Sequence, residues 1–271
     1  MTALQAALLG VVQGLTEFLP ISSSAHLLLV RAVFGWEPEP GVALAFDVAC
    51  HVGTLFSVLF YFRRELTDLL HVAFQPSCWL DDQNSSAAMF RSILFGTIPI
   101  LIVGLVTADR IFGAVRTVPV TGIALAVGGI AMLVAERYGR GERVESSLSG
   151  WEAVGLGFAQ ALALVPGVSR SGAVLTLAML FGLRRERAAR FAFLLGIPAI
   201  IASAAKTTLD SLNTGISADT GLLFVVGIVS SAVVGYLTVK YFIRYVSRYS
   251  LNVFAVYRLC IAMAILFWLS V

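Results

Sequence analysis

The sequence predicts an all-α polytopic membrane protein built as an inverted-topology repeat, and three observations carry that expectation. Hydrophobic residues make up 58% of the 271 and charged residues only 13%, with a mean hydropathy of +0.89. Soluble domains average roughly 45–50% apolar and about 25% charged residues. Apolar runs recur along the whole chain, so residues 1–271 read as one membrane domain with no separate soluble part. Within those runs one polar, Pro- and Gly-broken stretch occurs twice, as Gln13 to His26 and as Gln160 to Gly172. A shift of 147 residues lays Gly10 on Gly157, Gln13 on Gln160, Ser22 on Ser169 and Ser24 on Ser171.

Ten helical pieces are expected in two sets of five. The first set, within about 1–136, comprises 2–18, 23–35, 42–62, 88–107 and 118–136. The second, within about 150–271, comprises 150–165, 171–183, 187–208, 219–243 and 250–270. The first two pieces of each set are short and break at Pro20 or Pro166. A full span needs about 20 apolar residues, so each short pair is expected to be a re-entrant hairpin. The other three pieces of each set are expected to cross. Three crossings per set require the second set to start on the opposite side, which makes the repeat inverted. A further likeness, Phe90–Pro99 against Arg190–Pro198, is out of register by a helix and adds little.

Charge orients the chain. One face, at loops 63–91, 137–149, 184–190 and 240–248, carries thirteen basic residues: Arg63, Arg64, Arg91, Arg137, Arg140, Arg143, Arg184, Arg185, Arg187, Arg190, Lys240, Arg244 and Arg248. The other carries four, Arg31, Arg110, Arg116 and Lys206. The positive-inside rule makes the first face cytoplasmic and puts both termini outside. No Lys or Arg precedes Arg31, so no signal peptide is expected. A net charge of +3 gives no reason to expect nucleic acid. Cys50, Cys78 and Cys260, odd in number and widely spaced, read as small core residues.

Polar groups at membrane depth are the site candidates. Gln13 and Glu17 are four apart and share a helix face, and a buried carboxylate needs a partner, a metal or a proton. A structural bond to the neighbouring serines is the competing reading. Ser22, Ser23 and Ser24 can cap a helix start, but three hydroxyls followed by His26 exceed what capping requires. His26 would serve as a base for a serine or a water. Arg170, flanked by Ser169 and Ser171 and followed by Gly172, is costly in a bilayer and points to an anion, with a structural pair to Glu17 as the alternative. Asp47, His51 and Gln160 are candidates for supporting roles. Arg258, in the last span, has no motif around it and reads as a pairing or snorkelling residue.

These motifs resemble those of the undecaprenyl-pyrophosphate phosphatases of the bacitracin-resistance type. That family has Glu/Gln-x-x-x-Glu running into Pro-x-Ser-Ser-Ser-Gly-His, and later Pro-Gly-x-Ser-Arg-Ser-Gly-x-Thr. Here they stand as Gln13–Glu17, Pro20–His26 and Pro166–Val174. The likeness extends to Phe46-Asp47, His51–Leu55 and Arg190–Pro198, with Ala25 in place of the usual glycine and Val174 in place of the usual threonine.

The resemblance implies hydrolysis of a C55 isoprenyl pyrophosphate to the monophosphate and phosphate, which recycles the lipid carrier of cell-wall synthesis and gives bacitracin resistance. It also implies a divalent cation (Mg2+ or Ca2+) and a site open to the outer face of a bacterial inner membrane. Glu17 and Gln13 would hold the cation through oxygen. Arg170 would stabilise phosphoryl charge. Ser23 would attack or position water, with His26 moving the proton. Ser22, Ser24, Ser169, Ser171 and Gly172 are the remaining expected substrate contacts. The expected partners are the lipid and the bilayer, with a homodimer left open. The alternative function is an ion-coupled transporter or flippase of an anionic isoprenyl lipid, since inverted repeats with broken hairpins are also a transporter plan.

Overall fold

The computed structural model describes the chain except residues 37–39, 82, 115–116, 215–217 and 269–271, and it does not describe the side chains at 40–41, 107–114, 210–214 and 218–220. Arg110 and Arg116 of the sparse basic face therefore lie outside the described side chains. Among the described residues there are eleven α-helices and no strand.

The first short pair is α1 (Ala3–Thr16) and α2 (Ser23–Phe34). Thr2 and Gln5 form a reciprocal capping box at the start of α1, which satisfies the first free N–H groups. Gly35, at φ 64°, closes α2 in the left-handed region. Then come α3 (Pro40–Tyr61), α4 (Arg63–Ala73), α5 (Ser85–Ala114) and α6 (Val118–Tyr138). The second short pair is α7 (Gly150–Ala161) and α8 (Arg170–Leu180), with Ser149 and Glu152 forming the same capping box ahead of α7. The chain ends with α9 (Arg185–Thr214), α10 (Ala218–Val246) and α11 (Asn252–Trp268).

Five segments are long and apolar enough to cross a membrane: Val42–Tyr61, Ser85–Val106, Val118–Tyr138, Arg185–Leu209 and Gly221–Val246. This is a multi-pass membrane protein. Helix α11 is described over 17 residues, and the sixth crossing expected at 250–270 runs on into residues 269–271, outside the described residues. The structure departs from the sequence expectation in one place. Residues 63–73, expected to be loop, form the amphipathic helix α4. It buries Leu69 and Val72, exposes Leu70, and pairs Glu65 with Arg190 on α9. Its charges lower the mean hydropathy and hide the apolar stripe from a search for spans.

The helices interlock crosswise. Helix α1 packs on α10, whereas α7 packs on α5, and α6 packs on α11. Two glycines allow the first two contacts. A Cβ on Gly10 would lie 2.7 Å from the Gly227 carbonyl of α10, and one on Gly157 would lie 2.8 Å from the Pro99 ring of α5. The main core gathers Phe18, Phe62, Phe191, Leu175 and Val174 between the sets. Val174 is fully buried there, and an apolar side chain suits that place. Of the cysteines only Cys50 is a core residue. Cys78 is partly exposed and Cys260 faces outward, a correction to the reading of all three as core.

Candidate functional site

The two broken stretches meet. The first helix ends at Thr16, and the turn that follows runs through Pro20 and reaches α2 through Ser22 at φ 74°, a region a residue with a Cβ adopts only at a cost. In the second stretch Gly167, at φ 96°, turns the chain hard against α6. A Cβ there would fall 2.5 Å from the Thr121 carbonyl oxygen, so only glycine fits. Ser169 then caps α8, accepting from Gly172 N–H at 3.1 Å, and leaves Arg170 as the first helical residue.

Glu17 is the hub. Its Oε1 accepts from an Arg170 terminal N–H, which ties the two motifs together. Its Oε2 accepts from Ser23 Oγ at 2.7 Å and from Gln13 Nε2 at 2.8 Å. His51 Nδ1 lies 3.2 Å from the same oxygen and 2.7 Å from Gln13 Nε2. Because the carboxylate needs a donor, the Gln13 amide nitrogen, and not its oxygen, faces Glu17 and His51. Arg170 also donates to the Gly196 carbonyl at 3.0 Å, which aims the guanidinium from α9. Ser171 Oγ donates to the Glu17 carbonyl at 3.2 Å and approaches Ser169 Oγ at 3.3 Å.

These groups form the polar end of a cavity of about 500 Å3. Ser22, Ser23, Ser24, Ser169, Arg170, Glu17 and His51 line that end. Leu44 of α3, Ile100, Leu101 and Leu105 of α5, and Ala199 and Ala202 of α9 form an apolar wall. Asp47 lines it too, but its carboxylate is held by Arg31 at 3.0 Å and 2.5 Å. His26 is set apart. Its Nδ1 donates to the Ser22 carbonyl at 2.7 Å, and its Nε2 accepts from Tyr257 OH at 2.8 Å. It therefore braces the serine turn and makes no bond to Ser23. Gln160 is fully buried, lies outside the cavity lining, and neither of its amide atoms has a partner among the described residues.

Sequence reasoning missed the role of Arg258. It is 2% exposed and donates to four carbonyls: Pro20 at 3.1 Å, Gly167 at 3.0 Å, Ala124 at 3.2 Å and Leu125 at 3.2 Å. It does not snorkel, and among the described residues it pairs with no acid. It holds both turns against α6. The one clue in the sequence is an Arg in an apolar helix, without a motif to say what it meets.

Among the described residues no three His, Cys, Asp or Glu side chains come together in the way a resident metal needs. Beside the Glu17 carboxylate, however, the buried Oε1 of Gln13 has no partner. With the Gln13 amide turned over, carboxylate and amide oxygen would suit a hard cation whose other ligands are phosphate oxygens and water.

The family of bacitracin resistance protein BacA matches residues 6–264, and so takes in every residue of the cluster. The chain belongs to this family. An undecaprenyl-diphosphatase of Rubrobacter xylanophilus is 47% identical over 261 residues, covering 96% of this chain and 95% of that one. Undecaprenyl-diphosphatases of Thermomicrobium roseum and Alcanivorax borkumensis are each 41% identical, covering 100% and 98% of this chain and 99% and 98% of theirs. Family membership covers both motifs at once, and with them the Glu17–Arg170 contact that neither motif makes alone.

Proposed function

We infer that this chain is a membrane-embedded undecaprenyl-diphosphatase. It hydrolyses undecaprenyl diphosphate to undecaprenyl phosphate and inorganic phosphate, recycles the lipid carrier of cell-wall synthesis, and so confers bacitracin resistance. The observation that carries the reading is the meeting of Glu17, Ser23 and Arg170 at the polar end of a cavity whose other wall is apolar. That is the amphipathic shape of an isoprenyl diphosphate.

The proposed steps use the groups in contact. Substrate phosphate draws Arg170 from Glu17 and takes the guanidinium fork. Ser23 Oγ attacks the terminal phosphorus and its proton passes to Glu17 Oε2. The bridging P–O bond breaks, and its electrons leave with undecaprenyl phosphate. Water then attacks the phosphoserine phosphorus and the P–Oγ bond breaks. Glu17 returns its proton to Ser23 Oγ, and both protons of the water leave on the released phosphate. Ser22, Ser24, Ser169, Ser171 and the Gly172 region furnish further donors to phosphate oxygens. His51 steadies Gln13 and Glu17, and His26 positions the strained serine turn. Glu17 and Gln13 would hold a divalent cation jointly with the diphosphate, where it would neutralise phosphoryl charge. All these groups come from one chain, so a homodimer is not required for the chemistry.

The reading includes the membrane arrangement. We place the protein in a bacterial inner membrane with both termini outside, on the strength of the thirteen-to-four basic asymmetry. Two re-entrant hairpins and an inverted repeat are supported by the swapped packing of α1 on α10 and α7 on α5 through the aligned Gly10 and Gly157.

Purified protein in detergent, without a gradient, should release phosphate from farnesyl diphosphate, and Arg170→Ala should cost at least 1,000-fold, on the order of one lost transition-state charge contact. Wild-type protein that releases none would sink the phosphatase reading in favour of an anionic-lipid carrier. Near-normal release by the variant would remove Arg170 from the mechanism.

A further inference from the structure

A second cavity, of about 460 Å3, lies between the loop after α6, the loop between α8 and α9, and the end of α10. Helix α9 contributes its first turn to this cavity and Ala199–Thr207 to the catalytic one. At 1.5 Å per residue the two lie roughly 20 Å apart along one helix.

Its walls are fixed. Glu142 N–H and Arg143 N–H both donate to the Gly182 carbonyl, at 3.0 and 2.9 Å, and Arg184 N–H donates to the Arg143 carbonyl at 3.0 Å. This ladder locks the two loops face to face, so Arg140 and Arg184 are presented from opposite sides. The floor is apolar and closed: Met179, Leu183 and Val246 are nearly fully buried. A low-dielectric floor strengthens the field of charges above it.

The charges do not cancel. Glu136 is consumed by Arg185, which donates at 2.8 and 3.0 Å through Nε, and by Leu251 N–H at 2.8 Å. Arg187 is shared with Glu145 at 3.0 Å. Among the described residues the guanidinium groups of Arg140 and Arg184 have no partner. Glu186 alone opposes them at the rim. Two unused forks lining one cavity suit a phosphate, and one nearby acid disfavours a dianion while offering an acceptor to a hydroxyl.

We propose that this cavity binds the headgroup of an anionic phospholipid of the cytoplasmic leaflet. The phosphodiester sits between Arg140 and Arg184, and a headgroup hydroxyl donates to Glu186. A phosphatidylglycerol-type lipid has that chemistry: one negative charge and neighbouring hydroxyls. The site is separate from the catalytic cluster and does not depend on the reaction assigned to it.

Native mass spectrometry of the full chain released from nanodiscs of mixed phosphatidylglycerol and phosphatidylcholine tests the idea. Wild-type protein should retain one phosphatidylglycerol in preference to phosphatidylcholine. At about fivefold per basic residue, Arg140→Gln/Arg184→Gln should weaken that retention roughly twenty-fold. Arg64→Gln/Arg248→Gln removes the same charge from the same face outside the cavity and should retain the lipid. Equal loss in both pairs, or no loss in the first, overturns the site. Displacement of the lipid by millimolar inorganic phosphate would also overturn the lipid as occupant, because it would show that the cavity takes free phosphate. Both pairs should keep wild-type phosphate release, which reports that they fold.

Discussion

Arg258 offers the sharpest test of how the site is held together. Four carbonyls from three parts of the chain converge on its guanidinium, in a place with almost no water. Replacing it with Met keeps length and apolar volume but leaves those four acceptors unpaired. Each orphaned carbonyl costs about 1–3 kcal/mol. The desolvation of the lost cation returns several kcal/mol, so the net destabilisation is about 3–5 kcal/mol, the range for breaking a buried charged network. Lys supplies three donors without the planar fork and should fall between. The larger effect should be on turnover. The Pro20 and Gly167 carbonyls lie within three residues of Ser23 and Arg170, and a 1 Å misplacement of reacting groups costs about 100-fold. Gly128→Ala approaches the same point from the other side, because its Cβ would stand 2.6 Å from the Arg258 Cζ. Thermal unfolding in detergent and kcat/KM for phosphate release should rank wild type above Lys, and Lys above Met, with Gly128→Ala impaired while Arg258 is intact. A Met variant with unchanged melting temperature and unchanged kcat/KM would refute the reasoning.

Three other outcomes are expected. Excess chelator should abolish phosphate release and added Mg2+ or Ca2+ should restore it; full activity in chelator would dismiss the cation held by Glu17 and Gln13. In a background lacking Cys50, Cys78 and Cys260, Gly141→Cys should label only after the inner membrane is permeabilised. Gly215→Cys, at a position outside the described residues, should label from outside, and the reverse pattern would invert the topology. On the α7 side, Glu152 is held down to about 2, chiefly by its hydrogen bond from Arg143, which donates at 2.6 Å. A depressed carboxylate adds stability above its ordinary value of 4.5 and loses it as pH falls toward 2. The melting-temperature gap between wild type and Glu152→Gln should therefore be open at neutral pH and close between about pH 4.5 and 2. A gap that stays constant across that range would exclude the ion pair as its source.

Much of the fold could be read along the chain because a bilayer punishes exceptions. Long apolar runs, breaks at Pro20 and Pro166, and a lopsided basic face are one-dimensional signals, and the five long spans fall where the hydropathy put them. Helix α4 was overlooked because an interfacial helix is half charged and imitates a loop. The site was partly legible. Glu17, Ser23 and Arg170 stood out because each is costly in hydrocarbon, and they do converge. The pairing of Asp47 with Arg31, the direction of His26 toward Tyr257 and the unpartnered amide of Gln160 had no such signal, since a sequence names a polar residue but not its nearest neighbour.

What the residues by themselves determined is the solvent of this protein: composition and periodicity demand hydrocarbon around the helices, and any polar group left inside must have a purpose. Which polar groups share a purpose was decided only in three dimensions. Glu17 and Arg170 are 153 residues apart, and Arg258 is farther still from the Pro20 carbonyl it holds. Contacts across such separations come from packing α6 and α11 around two broken turns, and no local preference encodes them.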